Sequence, residues 1–302
     1  MFKKLLKKLL LATTLVCATG TVVAASGCNI ETAHPEVKIT VEFHENTYEL
    51  EYTLYRNMYP NTVRHFMELT ENGYYTDMLI HNYASSDWYS GGYYYDSESY
   101  SAATTGGAGA MSDYLEEHSG EQSYMNLFNS GKLTSTVYKF NPTAAVAEDA
   151  LPTLIGEFSN NINQVIEQGA LSASYGSLKM FYYEKTTNEK VTVTPTDDQV
   201  IMADYKTNCA TSLFMIQVTS SSSMGAANYC VFGRLENITV LTDLTEAVRE
   251  YLKTLTKDTV SANNVSVEND VEIFSEEDRH AEQDFVLPAE PIIIKSVKVT
   301  KY

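Results

Sequence analysis

Basic side chains are scarce in this chain of 302 residues: 21 Lys and Arg stand against 39 Asp and Glu, a formal net charge of −18. So acidic a protein repels phosphate backbones and anionic lipid alike. Nucleic acid is thereby excluded as a partner, and no basic patch can hold the chain to a membrane. Only six histidines are present, at 34, 44, 65, 81, 118 and 280, with no spacing that would gather them around an ion, so neither a metal site nor a cofactor is expected. The serine run Ser220–Ser223 lacks a His and Asp partner set, which removes nucleophilic hydrolysis. No internal repeat is visible. No apolar run reaches the ~20 residues of a permanent membrane span, because Thr13, Thr14, Thr19 and Thr21 interrupt the best one.

That interrupted run is informative in another way. Lys3, Lys4, Lys7 and Lys8 precede an apolar stretch from Leu9, and Ala25-Ser26-Gly27 leads into Cys28. The arrangement resembles a bacterial lipoprotein signal, with Ala25 where that pattern usually has Leu. Residues 1–27 are then a removed signal and 28–36 a tether lipidated at Cys28. Removal takes four lysines and no acid, leaving 17 bases against 39 acids, net −22. Membrane residence would rest on the acyl chains alone. A tether from Asn29 to Glu36 spans at most ~27 Å, which keeps the remainder close to the outer face. Cys17 goes with the signal, leaving Cys209 and Cys230. If 212–218 and 229–235 are hairpin partners, Cys230 faces Gln217, and eight residues of strand, ~25 Å, separate it from Cys209. A disulfide reaches only ~7 Å, so two buried free thiols are expected.

The stretch from Val37 to Gly92 organises the rest of the chain. Val37, Ile39, Val41 and Phe43 alternate with polar residues, and Tyr48, Leu50, Tyr52 and Leu54 do so again after a turn at His44–Thr47. This is a hairpin with one buried face. The period then changes. Val63, Phe66, Met67 and Thr70 form a helical stripe that begins at Pro60 and stops at Asn72-Gly73, where glycine supplies a left-handed residue.

Hairpin, Pro60-x-Thr62-Val63-x-x-Phe66 helix, Gly73-Tyr74-Tyr75, Ile80-His81 and Gly91-Gly92 succeed one another in an order that resembles the cyclophilin-type peptidyl-prolyl isomerases. Gly156-Glu157-Phe158 with Asn160-Asn161, Gly169-Ala170-Leu171-Ser172, Ser212–Ile216, Val231–Leu235 and the closing segment from Pro291 to Val297 fall where that family has its later landmarks. The resemblance implies a mainly β fold with α, residues 37–302 forming a closed, roughly eight-stranded antiparallel barrel capped by two helices, with a peptide groove on one side. Long insertions are expected at about 93–150, 175–208 and 257–288. The first reads as loop from Tyr93 to Gly109, with helices near Met111–His118 and Ala144–Asp149. The second reads as a hairpin leaving the barrel, beginning at Lys179–Tyr183 and turning at Thr187-Asn188. A helix is expected from about Leu244 to Leu255, and Asp258–Asp284 as an acidic surface excursion.

In the family an arginine after the His donates to the prolyl amide as conjugation breaks. Here that position is Asn82, and no residue is therefore assigned a catalytic role. The family's Phe-Met-x-Gln is replaced by Asp87-Trp88-Tyr89-Ser90, its Gln and Phe on the next strand by Leu213 and Met215 around Phe214, its far-wall Trp by Met224, and its later His by Tyr229. The groove candidates are thus Asn82, Trp88, Ser90, Leu213, Phe214, Met215, Met224 and Tyr229. Asn82 donates a neutral hydrogen bond without the charge or reach of guanidinium.

The expected function is that of a lipid-anchored monomer on the extracytoplasmic face of a bacterial cell membrane, binding proline-containing or extended segments of exported proteins and isomerising them weakly. A catalytically silent peptide-binding or chaperone module is the alternative. A third reading is surface adhesion through the tyrosine-rich 88–100 loop, whose aromatic faces would stack on wall glycans. A two-lobed solute-binding protein is disfavoured because no second lobe is found.

Overall fold

The computed structural model describes residues 34–83, 86–134, 137–139, 152–154, 171–181, 186–193, 201–206, 211–221, 229–254, 264–270, 282–288 and 290–302. The N-terminal hairpin is β1 (Glu36–Phe43) and β2 (Asn46–Leu54), in register from Glu36↔Thr53 to Phe43↔Asn46. Only His44 and Glu45 lie between the strands, both with positive φ (49° and 61°). A two-residue loop of this hand matches the right-handed twist of the strands. Val37, Ile39, Val41, Phe43, Leu50, Tyr52 and Leu54 are buried, so the alternation read in the sequence is the inward face.

Pro60 opens α1 (Pro60–Glu71), where a missing N–H costs nothing. Its end is closed twice over: Gly73 N donates to Thr70 O at 3.0 Å and Tyr74 N to Leu69 O at 3.0 Å, with Gly73 at φ 73°. This is the paired 5→2 and 6→1 closure that glycine permits. The apolar stripe buries Val63, Phe66 and Leu69 completely. Phe66 lies 5.5 Å from the Phe214 ring, 5.1 Å from Phe232 and 5.0 Å from Tyr75. Such a side chain stabilises by roughly 1.5–3 kcal/mol through burial, and truncation to alanine would cost about 3–5 kcal/mol.

The barrel continues with β3 (Met78–Asn82), β4 (Asp87–Tyr94), β7 (Leu178–Phe181), β10 (Phe214–Gln217), β11 (Tyr229–Leu235) and β14 (Ile293–Lys301). It closes in the order β1-β14-β3-β4-β10-β7-β11-β2. The N-terminal hairpin and the C-terminal Ile-rich segment therefore share one sheet, with Val41 opposite Ile294 and Ile39 opposite Val297. Closure removes the free edges that would otherwise invite pairing with another chain. The second expected capping helix is α5 (Ile238–Thr254); it buries Leu241, Leu244 and Val248, and its Tyr251 ring packs 5.8 Å from Phe43.

Several expectations are corrected. The glycine-, serine- and tyrosine-rich stretch after Gly92 is not all loop. Asp96 caps α2 (Ser97–Gly106) by accepting from Ser99 N at 2.9 Å, and Tyr100 and Ala103 are buried beneath it. Two more helices come after it, α3 (Ala108–Glu117), which covers most of the expected 111–118, and α4 (Glu121–Asn129). This insertion is stapled to β4 by Gly120 N to Gly92 O at 2.7 Å and Tyr94 N to His118 O at 2.9 Å. The described part of the expected Lys179–Tyr183 strand does not leave the barrel: 178–181 is the stave β7 between β10 and β11. Four residues buried on both faces give no alternation to read. Consequently β10 and β11 are not partners, and Cys230, buried and in no disulfide, sits opposite Met180 rather than Gln217. Thr187-Asn188 lies inside β8 (Thr186–Val193), which pairs with β9 (Ile201–Lys206) in a separate two-stranded sheet. The last insertion carries a hairpin of β12 (Asn264–Asp270) and β13 (Glu282–Pro288). Short β5 (Val137–Lys139) and β6 (Pro152–Leu154) form another. Helix α5 begins at 238 rather than 244. Residues 1–33, 144–149, 156–170, 209 and 222–228, on which further expectations fall, lie outside the described residues.

Candidate functional site

Paired residues on neighbouring strands share a face, and successive residues alternate. One rung across the barrel wall is Ser90–Phe214–Met180–Cys230. Phe214 meets Phe66 and Tyr75, so this rung faces the interior. The adjacent rung, Tyr89–Met215–Lys179–Val231, therefore faces outward, and Asn82 joins it through its pairing with Tyr89. Two residues along, Asp87 and Gln217 pair on that outer face. Tyr229 pairs with Phe181 there too, and Phe181 lies 5.8 Å from the Tyr89 ring.

This outer face is not a wet surface. Asn82 is 9% exposed, Tyr89 and Tyr229 7%, Asp87 1%, and Met215, Gln217 and Lys179 are fully buried. Its electrostatic centre is an ion pair: Lys179 Nζ lies 2.5 Å from Asp87 Oδ1, both side chains almost sealed from solvent. Tyr229 covers the ammonium, its ring centroid 4.5 Å from Nζ, a cation–π contact that strengthens as water is excluded. Burial lowers the Lys179 pKa, opposed by the hydrogen bond and charge of Asp87. Burial raises the phenols of Tyr89 and Tyr229, and the Asp87 carboxylate raises both further. Gln217 donates through Nε2 to Thr219 O at 2.9 Å, while its buried Oε1 has no hydrogen-bond partner among the described residues.

Of the eight groove candidates, the structure brings Asn82, Met215 and Tyr229 onto this face. Leu213 borders it, buried, with its carbonyl accepting from Phe181 N at 3.2 Å. Three candidates are elsewhere. Trp88 shares its rung with Ile216 and Leu178 and is a core side chain rather than a groove wall. Phe214 faces the interior. Ser90 donates its hydroxyl to Leu79 O at 2.7 Å, so it does not orient a ligand in place of a glutamine. Met224 and Cys28 lie outside the described residues. His81 is buried, held neutral by desolvation with its pKa lowered to about 3, and stands 5.0 Å from Tyr93.

The sequence reading missed Lys179, Asp87 and Gln217. Asp87 was visible only as a replacement for an apolar family residue. The usable signal was a lone lysine inside Leu178–Phe181, since a charge in a short apolar strand needs a buried partner.

Two glycines and a serine fix the strand ends behind this face. Tyr74 and Ser212 both donate to Gly91 O, at 3.0 and 2.8 Å, and Tyr75 donates to Ser212 O at 2.9 Å. Gly91 has φ 93°, and a Cβ there would lie 2.3 Å from Ser212 O. Gly120 carries no side chain for a similar reason, its Cβ position being 2.4 Å from the Tyr74 hydroxyl.

Chemically the face offers a neutral amide at Asn82, an apolar floor at Met215 and Phe181, aromatic walls at Tyr89 and Tyr229, and a cation whose charge Asp87 already neutralises. These are the groups an extended peptide would use, and they stand at 0–9% exposure. Among the described residues no group of three His, Cys, Asp or Glu could hold a metal ion, and no helix is long and apolar enough to cross a membrane.

Residues 38–269 match the family model of the cyclophilin type peptidyl-prolyl cis-trans isomerases. Curated protein sequences give no match. Among solved structures, a cyclophilin type peptidyl-prolyl cis-trans isomerase of Cryptosporidium parvum is 14% identical, covering 89% of this chain and 99% of its own, with a TM-score of 0.38. The same protein in the presence of the dipeptide Ala-Pro gives 12%, 88%, 99% and 0.39. The Mimivirus cyclophilin is 12% identical over 72% of this chain and 82% of its own, with a TM-score of 0.36. With the family model running from within the first stave nearly to the end of β12, this chain belongs to the cyclophilin-type peptidyl-prolyl cis-trans isomerase family.

Proposed function

We propose that this protein is a membrane-anchored, extracytoplasmic cyclophilin that binds proline-containing or extended segments of exported proteins and isomerises them slowly. The observation that carries the reading is the outward rung of Asn82, Tyr89, Met215 and Lys179, in which the residue matched to the family arginine is Asn82 and the cation is engaged by Asp87. Isomerisation needs no covalent step, only relief of a barrier of ~18–20 kcal/mol as the amide twists. Loss of one preorganised donor costs about 3–4 kcal/mol, or 10²–10³ in rate. Residual catalysis from shape and desolvation is what this face supports.

A protease-coupled tetrapeptide assay on the purified chain tests it, with an acceleration over buffer expected that is far below that of an arginine-bearing cyclophilin. A rate equal to buffer would leave the second reading, a silent peptide-binding or chaperone module, which the engagement of Lys179 by Asp87 favours. Peptide arrays then decide, since a silent binder retains a preference for extended or proline-bearing sequences. Anchoring is tested separately by metabolic labelling with palmitate, which Cys28→Ala should abolish together with membrane fractionation. Adhesion through the tyrosine-rich loop has less support, because Tyr93 and Tyr100 are buried at 4% and 2% exposure, while Tyr94 and Tyr95 keep part of their surface.

A further inference from the structure

On another part of the barrel wall from the Lys179 face, the tip of the first hairpin, the start of α2 and the residues leading into β14 line a cavity of about 270 Å³ that is open to solvent on one side. That is room for about nine waters. Its lining combines two chemistries. Glu42, Glu45 and Glu290 supply carboxylates; Tyr95, partly buried, supplies aromatic surface, with Phe43 and Tyr100 buried behind it. Tyr95 and Tyr100 meet edge to face at 5.6 Å, and the His44 ring at the rim is wedged between Phe43 at 4.6 Å and Tyr251 at 4.8 Å. The negative field is felt by the phenols around it. Tyr95 is raised by burial and then by Glu290 and Glu42, and Tyr251 by burial and then by Glu290. Lys295, the cation facing Glu42 and Tyr95, is itself paired with Asp77.

We propose that this cavity is a binding site for an alkylammonium group, with the carboxylates of Glu42 and Glu290 holding the charge and the ring of Tyr95 flanking the alkyl chain. Aromatic faces beside carboxylates suit a large, weakly hydrated cation, which gains from both. They suit a metal ion poorly, and no three of these acids converge closely enough to ligate one. The site is separate from the Asn82 face and does not depend on what that face does. A free diamine and a lysine side chain present the same group, and the probes separate them.

The test titrates the full chain with cadaverine and, in parallel, with the capped peptide acetyl-Gly-Lys-Gly-amide, at constant ionic strength, tracking the His44 ring by NMR. Saturable shifts are expected with at least one probe, weakened about tenfold or more in the Glu42→Gln, Glu290→Gln double variant, the scale of one lost charge or cation–π contact. Tighter cadaverine binding identifies a free polyamine, tighter peptide binding a lysine side chain. The exposed α5 variant Glu246→Gln should bind as the parent does. Shifts that potassium chloride reproduces, or affinities unchanged in the double variant, would overturn the site.

Discussion

Lys179 Nζ and Asp87 Oδ1, on staves separated by β10, lie 2.5 Å apart with side-chain exposures of 0% and 2%. Taking two charges out of water costs several kcal/mol per ion, and mutual attraction offsets this only while both are present. Lys179→Met should therefore lose about 3–5 kcal/mol of stability, because Asp87 would be left charged and buried. Replacing both, Lys179→Met with Asp87→Leu, should recover most of that loss. Urea unfolding of the two variants checks the claim, and equal losses in single and double variants would show that the pair is not the cause.

Two buried histidines set the acid limit. His65 donates from Nε2 to Thr211 O at 2.7 Å and has its pKa lowered by burial to about 4, while His81 is lowered to about 3. The unfolded chain takes up a proton at each near pH ~6.5, where the folded chain does not. Stability is thus fully present above ~6.5 and falls as the pH drops toward the folded values, by up to ~1.4 kcal/mol per pH unit for each histidine. Guanidinium unfolding between pH 6.5 and 5, above the range of ordinary carboxylates, should show this slope, and His65→Gln should roughly halve it. A flat profile would mean that the rings are not buried neutral.

How much of this was legible in the sequence depends on whether a residue's role was local or spread across the sheet. The hairpin of Val37–Leu54 and the helix from Pro60 to Gly73 announce themselves by period and punctuation, and both form where expected. The closed eight-stranded barrel rested on family landmarks and holds, but its order does not follow the reading that paired 212–218 with 229–235, because β7 lies between them. Helix α2 was hidden because Ser, Thr and Gly carry little helical preference, and it is held by the Asp96 cap and buried Tyr100 instead. At the site, Asn82, Met215 and Tyr229 converge, but Trp88 and Phe214 fall on the opposite face. A motif gives positions, whereas a face is decided by register, and β3 and β4 shift register between Ile80 and Asn82. Lys179 and Asp87 lie more than ninety positions apart, so nothing local pairs them.

Gly91 joins the two halves of the wall. At φ 93° it occupies backbone space that L side chains rarely adopt, and a methyl group would press into the Ser212 carbonyl. Gly91→Ala should therefore cost roughly 3 kcal/mol or more, combining strain with overpacking. It should also disturb Tyr74 and Tyr75, whose hydroxyls tie Gly91 O and Ser212 O together. Thermal unfolding measures the loss, and hydrogen exchange at Phe214–Gln217 should rise with it. A variant as stable as the parent would mean that the carbonyl can move aside.

Restoring the missing charge is the sharpest test of the catalytic reading. Asn82 sits on the rung of Tyr89 and Met215 and offers a neutral amide; the sequence resemblance matches it to the family arginine. A guanidinium placed there adds a charged donor whose gain appears as the amide nitrogen becomes pyramidal, so it should act on kcat more than on KM. The full 10²–10³ of an added donor is not expected, because Asp87 on the same face competes for the new cation and Lys179 repels it. Asn82→Arg should thus raise kcat/KM in the tetrapeptide assay by about tenfold. Lys179→Met in that background should be tolerated better than in the parent, since the guanidinium can then neutralise Asp87. If Asn82→Arg changes neither rate nor the cost of losing Lys179, the outward face is too closed to receive a prolyl peptide, and neither turnover nor peptide binding at this face accounts for the barrel.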